Sequence, residues 1–325
     1  VLLVSLLVIS RKIARQQPTS DLSEEEVTEG TFEDRYKLVE KLDESSGQSS
    51  EVSLREPRGK GIEKAGSGEL VVWKQARATQ GGEKNFSEKL EREKDLLKSI
   101  EHESIPRYID FGQVDDKLTG EQVNVLVMER MPGESLKKLL KERTKWERPW
   151  EFPDVEEALR QIIDPLMKLG RFHRDIKPGN IIYDEESGKY SLIDFGTWKE
   201  AEHSDIPVSP STGAYRWVTR GWCAPEIWSV GSSSGSTDVY ALGLLMYYML
   251  TADPKPPVQY QNAKLQQKAS LKMKELMREK GVEEWVINLF EDATLYDADE
   301  RNKKCGSVRK FLDRLDQGVG GDLNR

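Results

Sequence analysis

The 325 residues carry 49 Lys and Arg against 57 Asp and Glu, a formal net charge of −8. That acidic balance argues against nucleic acid as the main partner, because binding it takes a basic footprint. With 37% hydrophobic and 33% charged residues, the chain describes a globular body with a sizeable core, not a multi-span membrane protein, and its two cysteines, Cys223 and Cys305, form neither a metal-type spacing nor a disulfide framework.

The first ten residues, VLLVSLLVIS, are almost wholly apolar and run directly into Arg11, Lys12 and Arg15. Such a stretch is too short to cross a bilayer alone. Residues 1–15 read as part of a membrane anchor with the basic flank on the cytosolic side. The protein is then membrane-associated with its main body on the cytosolic, or a stromal-type, side, and otherwise cytoplasmic. The tail of a signal peptide and a buried accessory helix are the alternatives, although the basic n-region and small-residue cleavage site of a signal peptide are missing. Residues 16–34 are acidic, lack hydrophobic periodicity and read as a solvated linker.

From Tyr36 the pattern turns strand-like, with Tyr36, Leu38 and Leu42 separated by polar residues. Further strands are expected at Glu51–Leu54 and Leu70–Lys74, across a Gly- and Lys-rich loop. A helix is predicted from about Asn85 to Ile100. Its apolar positions Phe86, Leu90, Leu97 and Ile100 repeat at helical spacing, and Glu93 falls on the same stripe. A carboxylate there is costly unless paired, whereas Glu88 and Glu91 lie off the stripe and read as solvated. A second strand pair is predicted near Tyr108–Phe111 and Val123–Met128.

Beyond Pro132-Gly133 the pattern is mainly helical. Leu136, Leu139 and Leu140 make one face, and Leu159, Ile162, Ile163 and Leu166 another. A strand-turn-strand unit surrounds Asp184–Lys189, and a long Ser/Pro/Gly-rich loop follows from Glu202 to Gly213. Val239–Leu250 is apolar nearly all round and too short to span a membrane, which makes it a helix buried inside a lobe. The order is a sheet-rich front and a larger helical back, joined near Glu129–Gly133.

The segment Phe172-His173-Arg174-Asp175-Ile176-Lys177-Pro178-Gly179-Asn180 carries the strongest chemical signal. It resembles the catalytic loop of the protein kinase superfamily, H-R-D-x-K-x-x-N. Fourteen residues past Asn180 stands Asp194-Phe195-Gly196, similar to the family's D-F-G element, and Thr219 to Glu226 resembles the end of its activation segment, A-P-E. The resemblance covers about residues 35–316, followed by a tail at 317–325. It implies an α+β, bilobal protein kinase fold with an N-terminal antiparallel sheet lobe and a mainly helical C-terminal lobe.

The implied activity is transfer of the γ-phosphoryl group of ATP, with Mg2+, to a protein substrate. Asp175 would orient the acceptor hydroxyl, Lys177 would neutralise charge on the transferring group, and Asn180 and Asp194 would hold the metal. Thr219, five residues before Ala224, would bond the catalytic Asp and Lys. Together with Lys177 it favours serine and threonine as acceptors. The nucleotide pocket would comprise Gly47, Val52, Val72, Lys74, Glu93, the hinge residues Glu129, Arg130 and Met131, Ser135 at the ribose, and Ile182, with Met128 guarding the space behind.

Glu226 would pair with Arg301. Asp238 would brace the catalytic loop; it also reads as a plain N-terminal helix cap, and the two roles are compatible. Arg174 beside the base would seek an anion, for which Ser204, Ser209, Ser211 and Thr212 are candidates for phosphorylation or, equally, solvated loop residues, with Glu202 and Asp205 as partial substitutes.

Several departures stand out. The glycine positions of G-x-G-x-x-G-x-V become Ser45, Gly47 and Ser50, and Val72 replaces the usual Ala. The helix before the catalytic loop contains Pro165 and reaches His173 early, implying a tight connection or a few residues missing from the sequence. The weakened glycine loop leaves a pseudokinase scaffold as the rival reading. A small-molecule phosphotransferase, which would lack an activation segment ending in Ala-Pro-Glu, is the more distant one.

Overall fold

The computed structural model describes residues 31–42, 50–58, 69–78, 86–200, 219–230 and 233–322. The expected anchor (1–15), Ser45, Gly47 and the loop residues Glu202, Ser204, Asp205, Ser209, Ser211 and Thr212 lie outside these.

The front lobe is a five-stranded antiparallel sheet: β1 (Tyr36–Lys41), β2 (Ser50–Pro57), β3 (Val71–Ala76), β4 (Tyr108–Asp115) and β5 (Gln122–Glu129), in the spatial order β1-β2-β3-β5-β4. β-branched and aromatic residues supply the strands, and β5 is buried from Val123 to Met128, as suits a strand flanked on both sides. One helix, α1 (Phe86–Ser99), packs on β5 and β4 with Leu90, Leu96 and Leu97 buried. It lies within the range the periodicity predicts. The folded lobe also begins earlier than the expected end of the linker. Phe32 packs against Trp73 and Tyr36, with ring centroids 5.4 and 5.7 Å apart, because an exposed aromatic beside an apolar sheet gains by covering it.

The chain leaves the sheet through Arg130–Gly133. Gly133 adopts φ +100°, and a methyl built on it would collide with the Tyr183 carbonyl, so this turn has room for no side chain. The back lobe then contains β6 (Glu134–Ser135), α2 (Leu136–Lys145), α3 (Phe152–Leu169), β7 (Arg171–Phe172), β8 (Ile181–Asp184), β9 (Lys189–Leu192) and β10 (Lys199–Glu200). The described residues end in α4 (Pro225–Val230), α5 (Gly235–Thr251), α6 (Ala263–Glu279), α7 (Glu284–Ala293), α8 (Ala298–Cys305) and α9 (Val308–Asp322).

α5 forms the lobe's axis. Every residue from Ser236 to Thr251 is buried, and α3, α6, α7, α8 and α9 all pack on it. α3 runs through Pro165 and stops at Gly170, whose left-handed φ of +59° turns the chain at once into β7 and on to His173. In the sequence as given, a tight glycine-capped connection accommodates the early arrival of the catalytic loop. Among the described residues no helix is long and apolar enough to cross a membrane.

Candidate active site

Two networks gather the predicted site residues, one joining β3 and α1 to Asp194, the other within the loop between β7 and β8. The first is centred on Lys74 of β3. Its ammonium donates to Glu93 Oε2 at 2.7 Å and to Asp194 Oδ1 at 2.8 Å. Glu93 is wholly buried and Lys74 nearly so. Burial alone lowers the Lys74 pKa, but the Asp194 and Glu93 carboxylates outweigh it and hold the amine above its usual range. The second Glu93 oxygen accepts the Phe195 N–H at 3.2 Å. The carboxylate that the helical stripe marked as needing a partner thus ties α1 both to β3 and to the segment after β9. Asp194 sits at φ +62°, a conformation that non-glycine residues rarely adopt, and its neighbour Phe195 is buried 4.9 Å from the His173 ring. Burial pushes the Asp194 carboxyl up, but Lys74, Lys89 and Lys177 reverse this and hold it well below the usual carboxylate range.

The second network is the loop between β7 and β8. Lys177 Nζ donates to Asp175 Oδ2 and to Thr219 Oγ1, each at 2.6 Å, and the Thr219 N–H donates to Asp175 Oδ1 at 3.1 Å. Asn180 Nδ2 donates to the Asp175 carbonyl at 2.8 Å and to its Oδ2 at 3.0 Å. Because the backbone acceptor fixes which end of the amide is nitrogen, the Asn180 side-chain oxygen points away from Asp175. The Asn180 carbonyl accepts from Ile193 N at 2.9 Å, which brings this loop beside the approach to Asp194.

The loop's backbone is held from beneath. Asp238 on α5 accepts the N–H groups of His173 and Arg174, both at 2.8 Å. Ser234 is the N-cap of α5, so Asp238 braces the loop and does not cap its own helix. Burial raises the Asp238 carboxyl and, in the opposite sense, lowers the His173 imidazole. His173 Nδ1 accepts from Asp175 N at 3.3 Å while Nε2 donates to the Ile193 carbonyl at 3.3 Å, a pairing that suits the neutral ring. Arg174 stands at φ +69°, and its buried Nε has no hydrogen-bond partner among the described residues. Arg301, fully buried, pairs with Glu226.

Of the remaining predicted residues, Val72 lies opposite Met128, and Val52 lies opposite Lys74. Val52, Val72 and Ile182 are each partly exposed, leaving apolar surface. The Glu129 side chain forms a two-pronged pair with Arg107, at 3.0 and 3.2 Å, and its backbone N–H donates to the Arg107 carbonyl at 2.9 Å, so neither is free for a ligand in the hinge. Met131 follows it, partly exposed. Ser135 Oγ caps α2 by accepting from Lys138 N at 3.4 Å, a local task set beside the ribose contact expected of it.

Sequence reasoning missed two residues. Thr197 donates to the His173 carbonyl at 2.8 Å, and Lys89 reaches Asp194. Lys89 stands one helical turn before Glu93, but helix periodicity alone gives no reason for it to turn inward.

No group of three or more His, Cys, Asp or Glu among the described residues is placed to hold a metal unaided. Asp194 and Asn180 offer one carboxylate and one amide oxygen, a hard-oxygen set that suits Mg2+ completed by phosphate and water.

Comparison with known proteins matches a family described as the protein kinase domain to residues 47–309, across both lobes. Serine/threonine-protein kinase D of Synechocystis is 32% identical over 237 residues, covering 70% of this chain and 42% of that protein. Mitogen-activated protein kinase kinase kinase 3 of Arabidopsis thaliana is 30% identical over 201 residues, covering 60% of this chain and 29% of that protein. The probable serine/threonine-protein kinase PknB of Corynebacterium glutamicum is 28% identical over 187 residues, 58% and 28% of the two chains. This chain spans less than half the length of each of these relatives. A sheet lobe and a helical lobe meeting at this pair of networks, and a family match through most of the chain, place the protein in the protein kinase family.

Proposed function

We propose that the chain is an active, ATP-dependent protein kinase that phosphorylates serine and threonine hydroxyls, with Mg2+ held by Asp194 and Asn180. The observation that carries this reading is Lys74, whose buried ammonium bonds both Glu93 and Asp194 and so joins both lobes at the place where triphosphate would lie. When bound, Mg2+ supplies charge neutralisation to the β- and γ-phosphate oxygens. Lys74, kept charged by its two carboxylates, grips phosphate. Asp175 accepts or orients the proton of the acceptor hydroxyl. Lys177, shared between Asp175 and Thr219, keeps a cation beside the transferring group and keeps the Asp175 oxygens aimed. The Lys177–Thr219 contact supports Ser/Thr over Tyr as acceptor, in line with the names of the relatives.

One feature favours a pseudokinase instead: two of three expected glycines before Val52 are Ser45 and Ser50. The retained and engaged Lys74, Asp175, Asn180 and Asp194 favour catalysis. Incubation with γ-labelled ATP, Mg2+ and a general protein acceptor decides. Label on phosphoserine and phosphothreonine that vanishes in D175A supports the proposal; nucleotide binding with no label in any acceptor supports the scaffold. The apolar and basic composition of residues 1–15 supports placing the kinase domain at the cytosolic face of a membrane, which vesicle flotation with and without those residues tests.

A further inference from the structure

Lys89 has no part in the assignment above, yet it reaches Asp194, one of the two residues proposed to hold the metal. The i,i+4 partner its helix would offer is Glu93, and both Glu93 oxygens are engaged, by Lys74 and by the Phe195 N–H. The Lys89 stem instead crosses the bare α-carbon of Gly196, where a built methyl group would collide with Lys89 Cγ and Cε. That path carries Nζ, on a side chain only 8% exposed, to 3.4 Å from Asp194 Oδ1. The same oxygen already accepts from Lys74 at 2.8 Å. A carboxylate oxygen approached by two ammonium groups has little lone-pair capacity left for a divalent ion, and an ammonium held against a dication repels it.

We infer that Lys89 is a positioning residue of the metal site: its ammonium competes with Mg2+ for Asp194, so that loading the ion requires Lys89 to withdraw past Gly196. Without metal, Lys89 substitutes for the missing charge and keeps Asp194 beside Lys74. With metal, its removal from the oxygen makes Mg2+ binding weaker than the ligand set alone would give. This rests on Asp194 being a ligand of Mg2+ in a nucleotide site.

The test is equilibrium binding of a fluorescent ATP analogue to the full chain, in excess Mg2+ and in EDTA, for wild type, K89M, K89Q and K89R. The readout is the ratio of the two affinities, which measures what the metal adds. K89M keeps the stem over Gly196 and loses the charge; its ratio is expected to exceed wild type by at least about fivefold, a coupling of ordinary size. K89Q follows K89M, and K89R stays at wild type. A ratio in both K89M and K89Q equal to or below wild type, with nucleotide still bound, overturns the competition while leaving the site assignment intact. Failure of wild type to bind nucleotide under either condition overturns the site assignment, and the competition with it.

Discussion

Arg301 offers the sharpest test of what holds the two halves of the back lobe together. Its guanidinium has no solvent exposure and pairs with Glu226 at the end of the activation segment. It also donates to the Ser236 carbonyl at 3.0 Å and the Leu295 carbonyl at 2.6 Å, and lies over the Tyr240 ring at 5.4 Å. R301M preserves much of the volume but leaves Glu226, whose side chain is 11% exposed, and two carbonyls without this donor. Removing one member of a buried pair costs about 3–5 kcal/mol, mostly through the charge left behind. With a urea slope of about 3 kcal/mol/M, the unfolding midpoint should fall by about 1–1.7 M. Equilibrium urea unfolding followed by tryptophan fluorescence measures this. The added E226Q change removes the stranded charge and should restore about half of the loss, since a neutral amide is cheaper to leave unpaired. R301K keeps the charge without the fork and should fall between. An R301M midpoint within about 0.3 M of wild type would refute the reasoning, as would an E226Q addition that lowers it further.

Other expectations follow from the same geometry. T219V removes the hydroxyl that Lys177 donates to; losing a hydrogen bond to a charged group, about 1.5–3 kcal/mol, should lower kcat/KM about 10–160-fold in steady-state assays while nucleotide affinity holds. D175N removes the proton acceptor and should slow single-turnover transfer about 10²–10⁴-fold, with nucleotide affinity again unchanged. His173 has its pKa lowered by burial, so in acid the unfolded chain takes up a proton that the folded chain refuses. Its contribution is therefore present above the ordinary histidine pKa and is lost as pH falls below about 6.5, at up to ~1.4 kcal/mol per pH unit; urea midpoints of wild type and H173Q should converge as pH drops from 7 to 5. G133A, at φ +100° and against the Tyr183 carbonyl, should destabilise by about 1–3 kcal/mol or more, read as a lowered Tm.

Much of this site was legible in the chain because its signals are local. The helical period marked Glu93 as a carboxylate on a core-facing stripe, and the structure buries it against Lys74. The resemblance of Thr219 to Glu226 to the end of a kinase activation segment implied the hydroxyl that Lys177 binds. The all-round apolar run at Val239–Leu250 announced the axis of the back lobe, now seen from Gly235 to Thr251. Each of these depends on residues within a few turns of one another, where periodicity and burial leave a readable pattern.

The remainder was decided by closure of the fold. The Lys74–Asp194 contact joins residues 120 positions apart, and nothing in either neighbourhood encodes its 2.8 Å separation. Asp238 reads equally well as a helix cap until the packing of α5 under the catalytic loop aims both its oxygens at His173 and Arg174. The left-handed backbone at Arg174 and Asp194 is imposed by surrounding contacts, since neither residue type prefers it strongly enough to predict it. Lys89 would pass on a helical wheel for a solvated lysine; only the missing side chain at Gly196, over a hundred residues later, opens the path that turns it inward. Residue type and spacing thus determined which groups the protein has for chemistry. Packing between distant segments decided which of them meet, because a contact energy depends on distance in space and a sequence records only distance along the chain.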